Sequence, residues 1–189
     1  MRLADRPLHL ANRNGHIEAV RLLLEHGADP NKYDKYGGLP LHVPCYNIYS
    51  SRPINNTIAL IDLLLEYGAD INKASANGIT PLGRVMFGSN IKMATILLDR
   101  GANVNQVGYN SLPLLHMAAY GGHNDMIELL INRGADVNHI RKPHGATALH
   151  RAMRGDKPGT VELLISLGAD TEVKDRQGRT YDQVKPYRS

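Results

Sequence analysis

Nine histidines and one cysteine are the side chains of this 189-residue chain that could ligate a metal or attack a substrate. A structural zinc site asks for roughly three or four such ligands at short spacing. No His-x-x-x-His or Cys-x-x-Cys pair occurs. Instead His9, His42, His116 and His150 each follow a Pro-Leu, Ala-Leu or Leu-Leu pair, and His16 and His123 each follow a glycine. Six of the nine histidines therefore recur at a common period, which marks a structural slot and not a ligand cluster. Cys45 with a nearby histidine could make a nucleophile and base, but its slot suits a small core residue, where a thiol is inert. No phosphate-cradling glycine motif and no Gly-x-Ser-x-Gly elbow occurs. The expectation is no catalytic residue, no cofactor and no metal.

The elements that hold these residues repeat with them. Gly-Ala-Asp or Gly-Ala-Asn begins at Gly27, Gly68, Gly101, Gly134 and Gly168, in steps of 41, 33, 33 and 34 residues. His9, His116 and His150 each stand 18 residues before the next of these glycines, and His42 stands 26 before. In residues 111–138, Leu114, Leu115, Met117 and Ala118 supply the apolar side of a first helix and Gly121-Gly122 breaks it. Met126, Ile127, Leu129, Leu130 and Ile131 then give a second helix an i, i+3, i+4 stripe. Gly134 ends that helix, because glycine takes the left-handed C-terminal conformation without steric cost. Two such short helices cannot bury their own apolar face, so copies must stack on one another as a solenoid.

The same period places second helices near 17–26 and 57–67, the latter capped by Asn55 or Asn56. Pro158 falls at the start of a second helix, where proline is tolerated. Eight extra residues of the second copy fall in 45–56, read as a loop enlarged for contact. Gly83 takes the histidine slot of the third copy, which predicts a soft point there.

The openings RPLHLA, LPLHVP, TPLGRV, PLLHMAA and TALHRAM, with the ending Gly-Ala-Asp-Val-Asn entire at 134–138, closely resemble the ankyrin repeat over nearly the whole chain. The resemblance implies an all-α ankyrin-repeat solenoid of helix-turn-helix units with β-hairpin or loop fingers, about five repeats plus a partial C-terminal cap. One domain, 1–189, is expected, with repeats near 1–33, 34–74, 75–107, 108–141 and 142–174 and a partial copy at 175–189. In that family the slot histidine ties neighbouring fingers through backbone hydrogen bonds, and the fingers and first helices form a concave face that grips proteins. The Asn at the end of each Gly-Ala-Asp/Asn-x-Asn run, Asn31, Asn72, Asn105 and Asn138, would stabilise its turn.

With one cysteine the chain cannot form an internal disulfide, and no stretch approaches the roughly 20 apolar residues of a membrane span. An intracellular protein, cytoplasmic or nuclear, is expected, with no signal peptide seen and effector-type secretion left open. Residues 1–138 balance 12 Lys/Arg against 12 Asp/Glu, whereas 139–189 carry 10 against 6. A solvated end or an acidic partner surface near Arg141, Lys142, Arg151 and Arg154 accounts for that excess. No run of five basic residues supports nucleic acid.

Tyrosine supplies nine of the ten aromatic residues, which suits a contact surface better than a core. Register puts Tyr36 and Tyr109 on finger tips, Tyr33 on a finger's approach, and Tyr46, Phe87 and Tyr120 towards the ends of first helices. The expected function is a non-enzymatic, monomeric module binding a partner protein through Tyr36, Tyr46, Phe87, Tyr109 and Tyr120, with Lys35, Asn47, Asn77, Asn110, His144 and Arg154 at the margins. The alternatives are a targeting or substrate-recruiting part of a larger enzyme or ubiquitin-ligase adaptor, and a small ankyrin-type enzyme inhibitor.

Overall fold

The computed structural model describes residues 5–45, 53–108 and 112–186, with the side chains of residues 5, 6 and 87 outside that description. Ten α-helices occur among the described residues, in the order α1 Asp5–Asn14, α2 Ile17–Glu25, α3 His42–Cys45, α4 Ile54–Glu66, α5 Pro81–Val85, α6 Ile91–Asp99, α7 Leu114–Gly121, α8 Asn124–Asn132, α9 Ala148–Arg154 and α10 Pro158–Ser166. Short 3-10 turns at Met86–Gly88 and Tyr181–Gln183 follow α5 and end the series. The chain divides into two compact units, Met1–Asn103 and Val104–Ser189. In the first, α1, α3 and α5 pack in file with the second helices alongside; in the second, α7 packs on α8 and α9, and α9 on α10 and the terminal 3-10 turn.

Burial follows the repeat. Leu8, Leu41, Leu82, Leu115 and Leu149, each just before the histidine slot, are buried, as are Leu64, Leu97, Leu130 and Leu164 of the second helices. Each such leucine contributes about 1.5–3 kcal/mol relative to exposure.

Every second helix ends alike. At α8 the Gly134 N–H donates to the Ile131 carbonyl (2.9 Å) and the Ala135 N–H to that of Leu130 (2.9 Å). This is a Schellman closure, and it requires the φ of +90° at Gly134. After it the acidic residue and the asparagine divide the work. The Asp136 carboxylate accepts the Asn138 N–H at 2.9 Å and so makes the turn. The Asn138 amide reaches on to the next repeat, donating to the Gly168 carbonyl (3.2 Å) and accepting from the Asp170 N–H (2.7 Å). Asn31 does the same to Gly68 and Asp70, and Asn72 to Gly101 and Asn103. These asparagines thus link repeats, where sequence reasoning assigned them to their own turns.

The slot histidines form a second line of links. Nε2 of His9, His42, His116 and His150 meets the carbonyls of Gly38, Ile79, Ala146 and Arg179 at 3.3, 2.7, 3.0 and 3.0 Å. A carbonyl can only accept, so each Nε2 carries the proton. In the fifth repeat the Thr147 hydroxyl occupies Nδ1 of His150 (2.9 Å). Leu39 and Pro113 stand at the Thr147 position in the second and fourth repeats, and there Nδ1 of His42 and of His116 is buried without a hydrogen bond. The third repeat inverts the pattern: Thr80 is present, but Gly83 has no ring, and the threonine hydroxyl accepts the Gly83 N–H instead (3.1 Å).

The fingers are tight turns, and no strand occurs among the described residues beyond two isolated antiparallel bridges, Val107 with Pro113 and Arg141 with Ala146. In the first unit the Asp34 N–H donates to the Gly38 carbonyl (2.8 Å), while the Asp34 carboxylate accepts from the N–H groups of Tyr36 and Gly38, both at 2.8 Å.

The enlarged second copy differs from the reading above. Pro53, not Asn55 or Asn56, holds the N-cap position of α4, without a side-chain cap. Its carbonyl accepts the Asn56 N–H at 3.0 Å, and its φ of −56° suits a helix entrance. Helix α4 accordingly has 13 residues where α2, α6, α8 and α10 have 9. About one turn of the insertion therefore lengthens a helix; residues 46–52 lie outside the described residues.

Candidate functional site

Two finger tips meet in the first unit. The Ala76 N–H donates to the Gly37 carbonyl at 2.9 Å, and a β-carbon on Gly37 would stand 2.3 Å from that of Ala76. Lys35 and Tyr36 sit on one tip and Asn77 on the other, exposed. Tyr36 is 72% exposed, and the Lys35 ammonium lies 4.6 Å from its ring centroid, a cation–π contact that holds the ring at the surface. The hydrogen bond and charge of Lys35 lower the Tyr36 pKa. Tyr33 is also exposed, at 41%, with the Lys73 ammonium 5.2 Å from its ring centroid, but it differs in its hydroxyl. That group donates to the Ala74 carbonyl (3.0 Å), so Tyr33 packs between neighbouring fingers.

The second unit holds Tyr120, His144 and Arg154. Tyr120, near the end of α7 and 39% exposed, carries the Arg151 guanidinium 5.0 Å from its ring centroid. Close approach makes this possible, since Gly155 lies where a β-carbon would be 2.2 Å from the Tyr120 carbonyl oxygen. Beside this pair lies a cleft of about 620 Å³, lined by Arg141, His144, Ala146, His150, Arg151, Arg154, Asp175, Arg176, Gln177, Arg179 and Val184. One wall is α9, and two fingers make the others, joined where the Arg176 N–H donates to the His144 carbonyl (2.9 Å). Arg179 binds the Asp175 carboxylate at 2.7 and 3.1 Å. Burial opposes the Asp175 charge, but hydrogen bonds from Arg179 and from the Gln177 N–H outweigh it and hold the pKa below the ordinary value.

Of the other residues expected at a contact surface, Tyr46, Asn47, Tyr109 and Asn110 lie outside the described residues. Phe87 is in the 3-10 turn after α5, its side chain likewise outside the description. Sequence reasoning missed Arg176 and Arg179. The signal was available: Arg176 follows Asp175 on its finger as Lys35 follows Asp34. Lys142 does not line the cleft.

Cys45 is 2% exposed, and burial pushes its pKa up to about 12, which leaves it a thiol at neutral pH. No group of three or more His, Cys, Asp or Glu placed to hold a metal ion occurs among the described residues. No helix among them is long and apolar enough to cross a membrane.

The family profile described as ankyrin repeats (3 copies) matches residues 48–141 and 86–175, and that described as ankyrin repeat matches residues 5–35. The chain belongs to the ankyrin-repeat family. A protein of Rickettsia bellii (strain RML369-C), named for its ankyrin repeats, is 44% identical over 45 residues, which is 24% of this chain. The matched stretch spans 19% of the length of that curated relative. Ankyrin repeats generally mediate protein–protein interaction and are typically non-enzymatic.

Proposed function

We propose that this chain is a non-enzymatic, monomeric, intracellular binding module that takes a partner protein, and not nucleic acid, on its finger tips and the ends of its first helices. One observation carries the reading: Tyr36 and Tyr120 are kept at the surface, each with its ring held by a neighbouring cation. Large amphipathic rings fixed before contact lose little freedom on binding, which is the character of an interface anchor. The remaining positions at 46, 87 and 109 extend the same chemistry by register.

The test uses a partner captured from the source cell and then purified. Tyr36→Ala with Tyr120→Ala should raise its Kd at least about tenfold while moving the melting temperature by no more than about 2 °C. An unchanged affinity in the folded double variant sinks the assignment.

A further inference from the structure

The slot four residues after the histidine position holds Arg13 in the first repeat, Tyr46, Phe87 and Tyr120 in the second, third and fourth, and Arg154 in the fifth. In the fifth repeat this slot places a cation on the wall of the cleft. Five arginines and one carboxylate line that cleft, a formal charge of +4. The carboxylate, Asp175, pairs with Arg179. The five guanidinium-bearing side chains come from three elements, the finger at Arg141, helix α9 and the terminal finger, and line one space with a net positive charge.

We propose that this cleft receives an acidic peptide segment of the partner protein, its carboxylates on Arg151, Arg154 and Arg176. The inference rests on the protein-binding reading above and names the chemistry of the segment bound. Guanidinium forks pair with carboxylates through two parallel hydrogen bonds, which a scattered set of lysines would not do. The Arg151 guanidinium lies 5.0 Å from the Tyr120 ring centroid, a cation–π contact that helps position the charge at the cleft. The hydrogen bond from Arg176 to the His144 carbonyl joins the two fingers at the rim and sets the width of the cleft before any ligand arrives.

A volume of about 620 Å³ fits a few side chains of an extended segment. Nucleic acid fits less well. A strand needs cations spread along its phosphates and open rings for its bases, whereas here the cations converge, a carboxylate stands among them, and the Tyr120 ring already carries Arg151.

The experiment measures fluorescence anisotropy of the full 189-residue chain with a labelled ten-residue peptide containing six glutamates, and with its counterpart bearing glutamine at those positions. The glutamate peptide should bind at least tenfold tighter than the glutamine peptide and should weaken as salt is raised. Arg154→Glu with Arg176→Glu should cut that affinity at least tenfold. Lys92→Glu, an exposed charge change in the other unit, should leave it within twofold. If the double variant melts early, Arg176→Gln at the exposed finger position carries the test, with a loss of at least threefold expected. Equal binding of the two peptides overturns the proposal, as does full affinity in a folded variant. A single-stranded RNA decamer or an anionic phospholipid vesicle that binds tighter than the glutamate peptide, and is lost in the same variants, also overturns it. Failure here with partner binding still dependent on Tyr36 and Tyr120 removes the acidic segment only; partner binding indifferent to all four substitutions removes both readings.

Discussion

Acidification should loosen the second unit through His116. This imidazole is fully buried in α7, donates from Nε2 to the Ala146 carbonyl at 3.0 Å, and meets the His139 ring edge-on at 5.9 Å between centroids. Burial lowers its pKa from 6.5 to about 4; the bond to Ala146 opposes that, and His139, Arg151 and Arg141 add to it. The folded protein keeps the ring neutral at pH values where the unfolded chain protonates it. The unfolded state therefore binds more protons across that window, and stability rises with pH there. The contribution is complete above about pH 6.5 and is lost as pH falls towards 4. In full the difference is worth about 3 kcal/mol, of which about 2 kcal/mol is gone by pH 5.

Urea denaturation at pH 7.5 and 5.0, on the wild type and on His116→Gln, measures this. Glutamine cannot titrate, yet its amide can still donate to a carbonyl. The variant should lose about 2 kcal/mol less than the wild type between the two pH values. His42, whose pKa burial also lowers, titrates in both proteins and cancels in the difference. Equal losses, within about 0.5 kcal/mol, would refute the reasoning.

Two further outcomes concern the frame. Gly155→Ala should destabilise by about 2–3 kcal/mol, because the added methyl meets the backbone oxygen of Tyr120, which cannot swing aside; a thermal shift below about 2 °C would show that α7 and α9 separate cheaply. Amide protons of α5 and the Met86–Gly88 turn should exchange roughly thirtyfold faster than those of α7, since the mid-helix Gly83 and the missing histidine link cost about 1 kcal/mol each. Equal protection of the two helices in hydrogen exchange would remove the third repeat as the soft point.

The sequence by itself determined the repeat, because its marks are local. Gly134 must be glycine for the closure after α8, Leu130 must be apolar four residues before it, and the histidine slot shows in the residues on either side. Helix ends were legible for the same reason, except at α4, where Pro53 displaced the expected asparagine cap and helix took up part of the insertion. What Asn31, Asn72 and Asn138 do was not legible: a side chain that could satisfy its own turn reaches about 30 to 40 residues ahead, and only packing decides between near and distant carbonyls. The basic excess after residue 138 was likewise visible as a count, yet a count has no address. Arg151 and Arg154 come from one helix and Arg176 from a finger more than twenty residues on, and the tertiary fold alone makes them walls of one cleft.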